Sequence, residues 1–281
     1  MEKVILWDVH INEQFPSVSE MQLDSFIDLL IYFEENNILN VLGDDLYSSA
    51  GLWEWLSSKT QINLNDIKRE IQKKISRATK IAEKDYNSMV QNIGVLTETR
   101  TLALLFDSDN IFYISTQEEY YAGLRKYLAM EKKNDFLEDM VECFPNIYFA
   151  NGVNASVNSL NRDFEELREE IVEHLALINN YHSRFVDLLS MGKSNQEISR
   201  EFYIDTGVEC SPQAGREGIQ NLKISCYNDI SEQTETVKCE LHTKFKKFNI
   251  DRTKQDRIYF FPGRPGIKKG KIIVKHIGQH L

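Results

Sequence analysis

The chain has 281 residues, 42% of them apolar and 27% charged, and 33 Lys and Arg against 43 Asp and Glu give a formal net charge of −10. This length supports one large or two ordinary hydrophobic cores, and the composition excludes general disorder. No apolar run reaches the roughly 18 to 20 residues that span a bilayer, and MEKVILWDVHINEQF lacks a signal-peptide cleavage site, so a cytoplasmic, non-membrane protein is expected.

VILWDVHI reads as a first strand, with Asp8 and His10 on one face by the two-residue period. Ser17 or Ser19 caps the helix after it, whose apolar face is Phe26, Leu29, Leu30 and Phe33 and whose stop is Asn36–Asn37. In LWEWL, Trp53 and Trp55 lie about 200° apart on a helix, and core anchoring is their expected use. One helical run is expected from Asn65 to about Asn92, its Lys/Arg cluster forming a solvated face among interleaved acids. TRTLALLFDSDNIFYIS then reads as a hairpin or two strands about a turn at Asp107–Asn110. Asp8, Asp44, Asp45, Asp107 and Asp109 all fall at strand ends or turns, where metal-dependent nucleases keep carboxylates, although turns favour Asp in any case.

Thr116 begins a capped helix, and Pro145 marks a break after a second one. Asn154–Leu189 is the longest helical stretch, with Glu165, Glu166, Glu169, Glu170 and Glu173 making an acidic face. Its His174 and His182 read as structural. GKSNQEISREF is similar to the first helix of a helix-turn-helix, but no recognition helix is evident after it. Gly207, Pro212, Gly215 and Gly218 mark a linker. The expected fold class is α+β: an acidic, mainly helical body with a few strands over 1–204, a linker over 205–218, and a basic antiparallel meander over 219–281. From Lys238 onward there are twelve basic and three acidic residues, a local balance of +9; the preceding 237 residues hold 21 basic and 40 acidic. The four cysteines, Cys143, Cys210, Cys226 and Cys239, are scattered, which fits reduced thiols in a reducing cytosol.

In CELHTK, alternation puts Glu240, His242 and Lys244 on one side of a strand and Cys239, Leu241 and Thr243 on the other. In RIYFF, Arg257, Tyr259 and Phe261 share a side. If these strands pair, His242, Lys244, Arg257 and Tyr259 make a cationic and aromatic surface suited to RNA or another polyanion. Lys246, Lys247, Arg264, Lys268 and Lys269 are further candidate phosphate contacts. Metal-free RNA cleavage needs an acid, a base and fixed positive charge, which makes His242, Lys244, Arg257 and His280 the candidate catalytic set, with no cofactor. His276 has the parity of Ile272 and Val274, so it is expected on the apolar side. A zinc reading uses Cys239 with His242 and His276 with His280, but a three-residue step on a strand puts the first pair on opposite faces.

The charged strand, RIYF and the strand ending KHIGQHL resemble the sheet of RelE/ParE-type toxins over about residues 219–281. They are also similar to C-terminal modules of bacterial defence proteins. The resemblance implies helices packed on an antiparallel sheet, metal-independent ribonuclease activity, and site roles for Lys244, Arg257, Tyr259 and His280. The function expected is an intracellular toxin or anti-phage defence effector that binds and cuts RNA. In it the acidic body recruits a protein partner, or occupies the sheet's anion site until a partner displaces it. The competing expectation is a non-enzymatic adaptor or subunit, and oligomerisation stays open in either.

Overall fold

The computed structural model describes residues 2–47, 49–58, 62–213, 218–246 and 255–281. The chain divides into two units, Met1–Glu131 and Lys132–Leu281. The class is α+β, and no helix among the described residues is long and apolar enough to cross a membrane.

The first unit runs β1 (Glu2–Trp7), α1 (Ile11–Gln14), α2 (Glu20–Glu35), β2 (Leu39–Gly43), α3 (Asp44–Tyr47), α4 (Ala50–Ser57), α5 (Asn65–Arg77), β3 (Thr79–Ile81), α6 (Glu83–Val90), β4 (Thr99–Leu104), β5 (Tyr113–Ile114) and α7 (Gln117–Leu128). Its strands form one sheet in the order β3-β2-β1-β4-β5, with every pair parallel. Parallel strands are covered on both faces, which explains the unbroken apolar run VILW. Val4 and Leu6 pack with Val41, Ala103 and Tyr86 of α6. Trp7, on the opposite face, meets Phe26 of α2 edge-on at 5.6 Å. Ser19 caps α2 in a capping box with Gln22, and Asn36 ends it. Trp55 is buried and stacked on Phe15 at 4.8 Å, as core anchoring predicts, whereas Trp53 is only partly buried. Arg100 of β4 and Glu131 form an ion pair buried on both sides.

The expected helix over 65–92 is instead α5, β3 and α6. Extended backbone at Ala78 ends α5 and feeds Thr79–Ile81 to the sheet edge. The DSDN segment separates two strands, but β4 and β5 are parallel neighbours rather than a hairpin. Asp8 lies one residue past β1, so it sits in the turn with His10 rather than sharing a strand face with it.

The second unit runs α8 (Lys133–Cys143), β6 (Ile147–Phe149), α9 (Val153–Ser156), α10 (Phe164–Asn180), α11 (His182–Ser190), α12 (Asn195–Thr206), β7 (Cys210–Pro212), β8 (Lys223–Asn228), β9 (Gln233–Lys238), β10 (Leu241–Lys244), β11 (Arg257–Phe261) and β12 (Ile272–Gly278). The terminal strands β10, β11 and β12 are an antiparallel meander, as expected. β7 extends it on one edge and β6, parallel to β12, on the other. β8 and β9 form a separate two-stranded sheet.

Three expectations change here. The boundary lies after Glu131 rather than at 205–218, because β7 from that stretch is an edge strand of the second sheet. The long helix expected over 154–189 is broken twice: α9 ends at Ser156 and a 3-10 turn and loop lead to α10 at Phe164, and Tyr181 then separates α10 from α11. The chain leaves α12 for β7, so the helix-turn-helix reading fails for want of a second helix. The charge division shifts with the boundary: the first unit holds 12 basic and 21 acidic residues, the second 21 and 22. The basic terminal segment therefore shares its unit with the acidic helix α10.

Candidate site on the terminal sheet

Strand register places His242 opposite Tyr259 and Ser211, and Lys244 opposite Arg257. Directly paired residues project to the same side, so the four side chains expected to share a face do share it. The other face carries Thr243 and Phe260 and packs on helices. His174 of α10 hydrogen-bonds Thr243 at 3.0 Å, and Phe185 and Phe202 lie against Phe260 at 5.6 and 6.5 Å. His174 is thus structural, its pKa pushed down to about 4 by burial.

His276 is on the polar face, contrary to its parity. The register slips between Tyr259, paired with His276, and Phe260, paired with Val274, so Lys275 is a bulge residue and alternation reverses across it. The His276 ring meets Tyr259 edge-on at 5.7 Å, and its Nε2 lies 3.0 Å from the Gln279 carbonyl.

This polar face is largely sealed from water. His242 is 2% exposed, Tyr259 fully buried and Arg257 8% exposed. The Tyr259 hydroxyl accepts from Arg257 Nη1 (3.3 Å) and from the Leu281 N–H (3.2 Å), while Gln213 donates to the Leu281 carbonyl (3.0 Å). At Gly278 the Ser159 hydroxyl and Ser156 carbonyl lie where a Cβ would stand, so only glycine fits between strand and loop. His242 Nε2 is 3.1 Å from Ser211 Oγ, and burial, then the Arg257 charge, lowers its pKa to about 3.

An acid or base for RNA cleavage must reach a ribose hydroxyl. His242 is enclosed, partnered and neutral at physiological pH, and its expected catalytic role gives way to a structural one. Tyr259 is likewise unavailable for stacking on a base. Ser211 and Gln213 belong to the network but were hidden in a Gly/Pro-rich stretch that reads as a linker.

At the rim the chemistry differs. Lys244 remains partly accessible and pairs with Glu209. His280 is half-buried, and its pKa is lowered by that burial and then by the charges of Arg257 and Lys244. Lys244 and His280 therefore form the corner of this face that solvent reaches, with the charge of the Arg257 guanidinium close behind them.

The other candidates lie in different surroundings. The exposed Lys246 gives its backbone N–H to Glu170. Arg264 pairs with Glu235 of β9, Lys268 sits over the Tyr148 ring at 4.4 Å, and Lys269 is exposed. Lys247 lies outside the described residues. A cavity of about 350 Å³ beside β10 is lined by Lys244 and Lys246 but also by Glu170, Glu173 and Glu209, so acids of the same unit face these cations.

The zinc reading finds no centre. Cys239 is buried with its thiol pKa pushed up to about 12 by burial, and no group of three or more His, Cys, Asp and Glu among the described residues is placed to hold a metal ion.

Comparisons of the chain with protein-family models, curated proteins and solved structures find no match.

Proposed function

We propose that the second unit binds RNA, or a polyanion of the same phosphate chemistry, at the corner of Lys244, Arg257 and His280. In this reading the protein is a toxin-like or anti-phage defence effector that holds RNA rather than cutting it with His242. The observation that carries the reading is the direct cross-strand pairing of two cations, Lys244 opposite Arg257. Like charges in that position destabilise a sheet, and a phosphate between them removes the penalty while releasing counterions. The resemblance to RelE/ParE-type sheets agrees with helices packed on one face of an antiparallel meander. Glu209 acts as the resident counter-anion that RNA displaces, so inhibition by an acidic group operates within this unit.

The test is fluorescence anisotropy with labelled RNA over a salt series. Wild type is expected to bind at low salt, Lys244→Ala to bind more weakly with a log–log salt slope shallower by roughly 0.7, and Glu209→Gln to bind more tightly. RNA is expected to stay intact in chelator. No binding at low salt, or three proteins with the same isotherm, ends the proposal. A protein that co-purifies stoichiometrically under those conditions would favour the adaptor reading.

A further inference from the structure

The strand order β3-β2-β1-β4-β5 reverses its direction of winding between β1 and β4. Chain leaving β1 builds outward through β2 and β3, and then crosses back to place β4 and β5 on the other side. Loops at the carboxyl ends of two such strands part from one another, and open α/β sheets bind ligands in the crevice left there.

Asp8 is the first residue past β1, at this crevice. Its backbone N–H donates to the Leu104 carbonyl that ends β4 (3.3 Å), which fixes it between the two strands. The side chain is nine-tenths buried. Oδ1 accepts from the His10 N–H at 2.8 Å; among the described residues no other hydrogen bond reaches the carboxylate and no Lys or Arg pairs with it. Its second oxygen has no hydrogen bond among the described residues and is not sealed from solvent, so it is open to a ligand.

A second carboxylate, that of Asp45, acts on the same phenol as Asp8. The phenol pKa values of Tyr86 and Tyr113 are raised by burial and then by the charge of Asp8, and Asp45, just past β2, raises that of Tyr86 further. The Tyr86 hydroxyl is committed to the Trp7 carbonyl at 2.7 Å and cannot neutralise Asp8.

We infer that the carboxyl edge of the first sheet binds a hard divalent cation of the Mg²⁺ type. Asp8 is a direct ligand, Asp45 supports it directly or through water, and waters or phosphate oxygens of a bound ligand complete the shell. Mg²⁺ keeps several waters and characteristically takes one or two protein carboxylates together with substrate phosphates. Such a site needs no cage of three protein ligands, in keeping with the lack of one among the described residues. The site uses only the first unit and is independent of RNA binding by the second.

The experiment is a Tb³⁺ titration of the full chain, read as luminescence sensitised by Tyr86 and Tyr113, with Mg²⁺ as competitor. Wild type is expected to show saturable emission that Mg²⁺ reverses. Asp8→Asn should weaken Tb³⁺ binding by at least about tenfold, while Asp187→Asn, an exposed acid on α11 of the second unit, leaves it unchanged. If Asp8→Asn does not fold by circular dichroism, Asp45→Asn takes its place and should weaken binding several-fold. Emission indifferent to Mg²⁺, or a folded variant at either position that titrates as wild type does, overturns the inference.

Discussion

In the first sheet every strand pair is parallel, the central strands β1, β2 and β4 carry buried apolar side chains on both faces, and Asp8, Asp44 and Asp45 follow the carboxyl ends of β1 and β2. In the second, one face is apolar and helix-packed while the other holds imidazoles, a phenol and a guanidinium in a closed network. Polar groups at a strand's end remain available to solvent and ligand. Those in the middle of a covered face must satisfy one another, and satisfying one another removes them from chemistry. The contrast explains why the histidines on the covered face of the terminal ribbon are mainly architecture, and why the proposed binding is assigned to the corner where Lys244 and His280 reach water.

The comparison can be broken first where the first unit departs from it, at its fully buried ion pair. Glu131→Ala removes the carboxylate that pairs with the buried Arg100 guanidinium and should remove about 3–5 kcal/mol from unfolding free energy measured in urea. A loss below 1 kcal/mol would mean that the pair is not enclosed as described.

A second difference is acid sensitivity. Burial holds His242 and His174 neutral, with pKa values near 3 and 4 against an ordinary 6.5. Between those limits the unfolded chain binds protons that the folded chain refuses. Stability is therefore complete above about pH 6.5 and is lost as pH falls toward the folded values, by about 2 kcal/mol per histidine between pH 7 and pH 5. His242→Gln should flatten that slope in unfolding curves taken at pH 5, 6 and 7; an unaltered slope removes His242 from the account.

Tyr259→Phe deletes the hydroxyl shared by Arg257 and Leu281 and should cost about 1–2 kcal/mol without changing RNA affinity more than twofold, as judged by urea unfolding and anisotropy. The smallest effect is local: Ser19→Ala removes the cap of α2 and should cost about 1 kcal/mol, read from the same urea curves.

Elements fixed by neighbouring residues are readable from the sequence. Thr116 with Glu119, and one of the two serines offered for α2, are capping boxes, and CELHTK and RIYFF pair as alternation requires. The features that escape depend on distant partners. VILW and LALL look like strands, but nothing near Val4 says that Thr101 and Leu39 flank it in parallel. β3 is three residues inside an amphipathic helical pattern, and only the sheet edge at β2 makes it extended. Alternation also gives the side on which a residue lies, not what covers that side. His242 lies on the face that alternation assigns it, yet Gln213 and the terminal residues that close over its network are remote or irregular segments with no periodic signature.

Lys275 works as a phase shift in the last strand. Before it, Val274 answers Phe260 in the apolar layer; after it, Ile277 answers Ile258 in that same layer although the two are an odd three positions apart. The spare residue lets one short strand serve the helices twice and still insert an imidazole beside Tyr259. If Lys275 took a regular place in the ladder instead of bulging, strict alternation would swing His276 toward the helices and Ile277 into the polar network. The bulge at Lys275, rather than the lysine side chain that fills it, thus decides which faces His276 and Ile277 take.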